Sequence, residues 1–163
     1  MGVPPAPARR LQNLSRAEQL TRGTPAEKRN NRRVDAEMKA AVKAGDVAAL
    51  EALLDAGADV NVRDEHGQTA LMNASRDGHT AMVRLLVTRG ADLNHTAKYN
   101  LSALMLAVIN GRDAIVGVLA DAGADLTIRG TGAPGFAGKT ALDLAAGADR
   151  VIAMALLKDA ENT

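Results

Sequence analysis

The chain has 163 residues, no cysteine, one tyrosine, one phenylalanine and a formal net charge of +1. The absence of cysteine excludes disulfide bonds and thiol chemistry, and it is compatible with the cytoplasm, which is the expected location. No apolar run approaches the roughly 20 residues of a transmembrane helix, and no apolar signal segment follows Met1. With so few aromatic residues, the core must consist of Leu, Val, Ile, Met and Ala.

The first 34 residues are strongly basic. They contain eight basic and two acidic side chains, which give a net charge of +6. Because the whole chain has a net charge of +1, residues 35–163 have a net charge of −5. Four of the five prolines also lie here, and this composition predicts a flexible N-terminal tail with at most a short helix at residues 11–20. The tail could be a solvated leader, an electrostatic arm for nucleic acid, an acidic protein or an anionic membrane, or an organelle presequence. No aromatic residue lies among the basic ones, which disfavours base stacking.

Residues 35–63 are predicted to form a first helical unit with a polar outer face. Its opening helix has Lys39 and Lys43, and Gly45 follows as a helix-ending residue. No Thr-x-Leu sequence begins this unit, which distinguishes it from the units that follow. A unit at the edge of a stack needs one polar face because no neighbour covers it. The first unit is therefore expected to be a cap.

Residues 64–96 contain the clearest pair of predicted helices. Thr69 can cap a helix that carries Leu71 and ends before Gly78, since glycine readily adopts a positive φ at a helix C-terminus. A second apolar helix, which includes Leu86, ends before Gly90. The sequence therefore predicts a helix-turn-helix unit.

The third and fourth units, residues 97–134 and 135–163, depart from this pattern in two places. Asn100 occupies the position of a glycine in the other units, and about five residues are inserted between Arg129 and Gly138. The insert is glycine-rich and contains Phe136. It is predicted either to project as a binding loop or to fold back as a lid. The fourth unit lacks a Gly-Ala-Asp sequence, so it is also expected to be a cap.

Gly-Ala-Asp recurs at residues 57–59, 90–92 and 123–125, a spacing of 33 residues. Such a period predicts stacked supersecondary units that form a solenoid. The segment D-E-H-G-Q-T-A-L-M-N-A-S-R-D-G-H, residues 64–79, and the later Gly-Ala-Asp-x-Asn resemble the ankyrin repeat. The resemblance covers about residues 35–163. It implies an all-α solenoid of helix-turn-helix units with projecting hairpin-like fingers.

The resemblance also implies that a partner protein binds the concave face and the finger loops. A hot spot is expected at Tyr99, Leu101 and Ile109, which are predicted to be exposed, with Arg76 and Arg129 for acidic groups of the partner. Alternatively, Tyr99 packs across its finger onto a neighbour. The candidate partner-binding residues are Arg63, Glu65, His66, Gln68, Arg76, Asp77, Lys98, Tyr99, Leu101, Ile109, Asn110, Arg129 and Phe136.

No pattern in the chain favours catalysis, a metal ion or a cofactor. Residues 133–140 match a loose phosphate-binding loop, but Gly138-Lys139-Thr140 is explained as the start of the fourth repeat. The three histidines lack ligand spacing: His79 is expected to support neighbouring loops, and His66 and His95 to be exposed. We expect a monomeric, non-catalytic interaction module. The alternatives are an inhibitor or protective partner of an enzyme, and an electrostatic binder of nucleic acid or membranes.

Overall fold

The computed structural model of the protein describes residues 25–132 and 134–162. Within these ranges the chain is helical and forms no β-strand, which confirms the predicted all-α fold. The helices are α1 (Pro25–Ala44), α2 (Val47–Asp55), α3 (Ala70–Asp77), α4 (Thr80–Thr88), the 3₁₀ turn Lys98–Asn100, α5 (Ala103–Ile109), α6 (Asp113–Asp121), α7 (Ala141–Gly147) and α8 (Val151–Glu161).

Helix α1 begins at Pro25 and includes the last ten residues, 25–34, of the segment predicted to be a tail. Proline is well suited to the first helical position, and the next residues include Ala, Glu, Lys and Arg, which are strong helix formers. The basic composition that suggested flexibility thus also favours a helix. Residues 1–24, with the predicted short helix at 11–20, lie outside the described residues.

The repeats lie in a compact unit that begins at Asp35. The inner helices stack in the order α3, α5, α7, and the outer helices in the order α2, α4, α6, α8. Helix α1 contributes Met38, Ala41 and Val42 to the same core. The core between the two layers is aliphatic, as the composition requires, and its largest fully buried side chains include Leu50, Leu71, Met82, Leu86, Leu104, Met105, Ile115, Leu119 and Leu157.

Hydroxyl side chains begin three of the four inner helices. Thr69 accepts a hydrogen bond from the backbone N–H of Met72 at 3.3 Å, which confirms the predicted cap. Ser102 caps α5 in the same way, and Thr140 caps α7 within a capping box completed by Asp143. Each cap satisfies a backbone donor that the first helical turn leaves free. None of the helices described is both long and apolar enough to cross a bilayer.

A residue with positive φ ends each inner helix, and a side chain of the next unit lies over three of these residues. The fourth unit has Asp149 at this position, with φ of 52°. The stacked side chains leave no room for a Cβ atom on the glycines: one on Gly78 would lie 3.0 Å from the guanidinium carbon of Arg112. The pairs are His79 on Gly45, Arg112 on Gly78 and Arg150 on Gly111.

The segments between successive units form fingers, which we define as residues 58–69, 91–102 and 124–140. The first and second fingers are closed by single antiparallel bridges, Arg63 with Thr69 and Thr96 with Ser102. The recurring Gly-Ala-Asp-x-Asn has a structural explanation here. The Oδ1 of Asn61 accepts a hydrogen bond from the backbone N–H of Asp92 at 2.8 Å, and this bond links the first finger to the second.

The same bond recurs between the next two fingers. The Oδ1 of Asn94 accepts from the backbone N–H of Asp125, again at 2.8 Å. One unit further along the chain, Thr127 replaces the asparagine, and its hydroxyl donates to Asp125 in its own finger. The asparagine of each motif therefore fixes the position of the next finger, and this device is used twice.

Candidate functional site

A cleft of about 650 Å³ is lined by α1 on one side and by the first finger and α3 on the other. We call it the proximal cleft. Six of the thirteen sequence-predicted site residues line it: Arg63, Glu65, His66, Gln68, Arg76 and Asp77. The sequence reasoning missed the wall opposite, to which α1 contributes Asp35, Ala36, Met38, Lys39, Val42 and Lys43. These α1 residues are spaced three and four positions apart, which indicates that they share one helix face. The sequence analysis instead interprets Lys39 and Lys43 as part of the polar outer face of a cap.

Ion pairs hold several charges at the rim of the proximal cleft. Lys39 on α1 pairs with Glu65 at the tip of the first finger, and this pair bridges the two walls. The hydrogen bond from Lys39 lowers the pKa of Glu65. On the opposite wall, Arg76 donates to Gln68 and to Asp77, both at 2.9 Å. These five side chains therefore have partners within the protein.

Asp64 holds the first finger in shape at the edge of the proximal cleft. Its Oδ1 accepts from the backbone N–H groups of His66 and Gln68, each at 2.9 Å. Its Oδ2 accepts from the side-chain amide of Asn73 at 3.1 Å, which ties the finger to α3. Partial burial raises the pKa of Asp64, but these hydrogen bonds to the ionised form outweigh it, and the net pKa is lowered.

We expect Asp64 to make the finger sensitive to acid. A carboxyl group whose pKa is lower in the folded than in the unfolded protein stabilises the fold above its ordinary pKa of about 4. This contribution is lost as the pH falls through the lower value of the folded state. Asp64→Asn should therefore lose less stability than the parent between pH 6 and pH 3, as measured by urea unfolding at each pH. Because the two proteins share all other carboxylates, parallel pH profiles would contradict this role of Asp64.

Two cations in the proximal cleft remain without an ion-pair partner among the described residues: Lys43 on α1 and Arg63 on the first finger. Both side chains are exposed. The carboxylate of Asp35 lies on the same wall as Lys43, and burial and the nearby Asp59 raise its pKa. The floor of the cleft is apolar and consists of side chains that belong to the core or pack against it.

The predicted hot spot at Tyr99, Leu101 and Ile109 does not form an exposed patch. Leu101 is only 7% exposed and belongs to the core, so its predicted exposure is wrong. Ile109 is half-buried against the core. Tyr99, at φ of 63°, is 38% exposed.

The third finger lies against the second at Tyr99 and Asn100. The rings of Tyr99 and Phe136 are 6.1 Å apart, and the backbone N–H of Thr131 donates to the carbonyl of Tyr99 at 2.7 Å. The side-chain amide of Asn100, which adopts the predicted left-handed conformation, donates to the carbonyl of Arg129. Tyr99 thus packs across its finger, and Phe136 packs against the ring of Tyr99 in the second finger.

The remaining predicted site residues lie outside the proximal cleft. The Nζ of Lys98 lies 4.8 Å from the centre of the Tyr99 ring. The amide of Asn110 donates to the carbonyl of Leu106, and Arg129 donates to the carbonyl of Gly138. The contacts of Lys98 and Asn110 lie within the third unit, and that of Arg129 links the third unit to the fourth.

His66 and His95 lie in the first and second fingers, and His79 directly precedes α4. The Nε2 of His95 donates to the carbonyl of Gly67 at 2.9 Å, so the expected exposure of His95 is wrong. His66 is exposed at the finger tip, 3.9 Å from Glu65. Among the described residues, no cluster of His, Asp and Glu side chains has the arrangement of a metal site.

Comparison with known proteins agrees with this architecture. A family model described as ankyrin repeats, in three copies, matches residues 38–130, more than half of the chain. No curated protein matches the sequence. The matched range includes the inner and outer helices of the second and third units and the first two fingers. Ankyrin repeats are general protein–protein interaction modules. The chain belongs to the ankyrin-repeat family.

Proposed function

We propose that the protein is a non-catalytic interaction module that binds one partner protein through the proximal cleft and the first finger. The observation that carries this proposal is the cleft of about 650 Å³ that α1, the first finger and α3 line together. It brings six of the candidate partner-binding residues to one concave surface. Its polar groups lie over an apolar floor, as at protein-binding surfaces.

The second and third fingers contribute less to this proposed surface. Leu101 and Phe136 are committed to the core or to the neighbouring finger, and Tyr99 keeps only part of its ring free. The proposal includes a monomeric protein in the cytoplasm, a location that a chain without cysteine allows. An inhibitory or protective role toward an enzyme would use the same cleft.

Affinity capture from the native lysate, read by mass spectrometry, tests the proposal. The baits are the full chain, an Arg63→Ala/Arg76→Ala variant and a matched Arg84→Ala/Lys158→Ala variant with exposed cations removed elsewhere. A protein captured by the first and third baits and depleted about tenfold or more with the second is the expected result, because charged groups at an interface are costly to delete.

A fourth bait separates the cleft from the basic tail. It is the full chain with Arg9, Arg10, Arg16 and Arg22 replaced by Gln. Capture that is lost with this bait and with added salt, but kept by the cleft variant, would contradict the proposal. It would assign binding to an electrostatic arm instead.

A further inference from the structure

We infer that the partner segment bound in the proximal cleft is acidic and apolar: it places apolar side chains on the floor and carboxylates against Lys43 and Arg63. This inference rests on the proposed interaction function and adds the chemistry of the partner. The two cations lie on opposite walls of one cleft, on α1 and on the first finger. They are the lining cations for which the described part of the chain supplies no carboxylate.

Apart from Asp35 on α1, the other acidic groups and the other Lys and Arg side chains of the cleft already have partners. Lys39 and Glu65 neutralise each other, and Arg76 is held by Gln68 and Asp77. Both carboxylate oxygens of Asp64 accept hydrogen bonds from the first finger and α3. The formal charges of the lining therefore overstate its acidity, and the groups that remain for a partner are predominantly cationic.

The floor of the cleft favours apolar side chains. Met38 and Val42 of α1, Val62 of the first finger and Ala70 of α3 line it, and all four belong to the core or pack against it. These side chains are fixed by packing, so the floor is largely preformed. A volume of about 650 Å³ lies within the range of sites that bind small ligands or a few side chains of a peptide.

The distribution of charge favours a polypeptide over a nucleic acid. A phosphate backbone carries closely spaced negative charges and requires a continuous basic surface. Here the lining also includes Glu65, Asp77 and Asp35, so it is not a continuous basic surface. The described lining residues include no Phe, Tyr or Trp to stack on a base, and His66 supplies their one ring. An acidic segment with apolar residues needs only the two free cations and the apolar floor.

A random dodecapeptide library displayed on phage provides the probe. It is selected on the full-length protein, and enriched peptides are synthesised with a fluorophore for anisotropy titration. Enrichment of Asp or Glu next to Leu, Ile, Met or Phe is expected. The same peptides should bind a Lys43→Glu/Arg63→Glu variant at least about tenfold more weakly, because attraction becomes repulsion. Selection on that variant should enrich Lys and Arg instead.

An Arg84→Glu/Lys158→Glu variant is the matched control, since both replaced cations are exposed, lie outside the cleft and change the net charge equally. It should bind the parent peptides within about twofold. Circular dichroism and melting curves confirm that each variant is folded. Peptides without acidic enrichment, equal losses in the two variants, or no enrichment over empty support would overturn the inference. The proposed function would survive these results if the lysate partner still depended on the cleft.

Discussion

Leu86→Ala is expected to lower the free energy of unfolding by about 2–5 kcal/mol. The side chain is 0% exposed in α4. That helix packs between α2 and α6, so a cavity there removes contacts with the units on both sides. Close-packed interiors relax only partly around a deleted group, and the cost therefore includes the cavity as well as the lost burial.

Urea unfolding followed by circular dichroism measures the effect. Ile152→Ala in α8 removes an aliphatic side chain that is 61% exposed, and it should change the free energy of unfolding by no more than about 0.5 kcal/mol. If the two substitutions had equal effects, the register of α4 described here would be incorrect. Because the array has few units, both proteins should unfold in a single transition.

Gly78→Ala is expected to cost about 2–3 kcal/mol. A left-handed residue with a side chain costs roughly 1–2 kcal/mol, and Gly78 has φ of 92°. The new Cβ atom would also displace Arg112, whose Nε donates to the carbonyl of Arg76 at 3.2 Å, and losing such a bond costs about 0.5–1.5 kcal/mol. The effect therefore combines backbone strain with a lost contact between units.

Two matched substitutions separate these causes by the same unfolding measurement. Gly57 also has positive φ, of 90°, but nothing lies within 4 Å of the position that a Cβ atom would take there. Gly57→Ala should therefore show the backbone cost alone. Gly147, at the end of α7, lacks positive φ and has open space around it, so Gly147→Ala should stabilise the protein by up to about 1 kcal/mol. A destabilised Gly147→Ala, or equal costs at Gly57 and Gly78, would contradict the assignment.

The repeating part of the fold could be predicted because each signal is local. A hydroxyl residue such as Thr69 begins a helix because its side chain accepts a hydrogen bond from a backbone N–H of the first turn. A glycine such as Gly78 ends the helix because it adopts a left-handed conformation with positive φ. The period of 33 residues then places these signals in register. Even the substitution at Asn100 was predictable, since asparagine tolerates the left-handed conformation that it adopts.

The features that escaped prediction depend on contacts between units. Leu101 looked exposed because the corresponding residue of the preceding unit is Gln68, but the structure places it in the core. His95 likewise bonds a carbonyl in the preceding finger. The α1 wall of the proximal cleft was missed because the periodicity indicates a helix face without showing which of its residues line a cleft with the first finger. Six cleft residues were still found, since finger tips project in every unit.

The bond from each finger asparagine to the next finger has a consequence for the evolution of this array. Asn61 meets Asp92, and Asn94 meets Asp125, through the same pair of atoms at the same distance. Consider a duplicated copy of residues 64–96 inserted after Thr96. The backbone N–H of its Asp92 could donate to the original Asn94, and the side-chain oxygen of its own Asn94 could accept from the backbone N–H of Asp125. The second unit is therefore interchangeable with its own copy, and duplication could lengthen the array in whole steps. Thr127 lacks the amide acceptor, so duplication beyond the third unit would not inherit this connection.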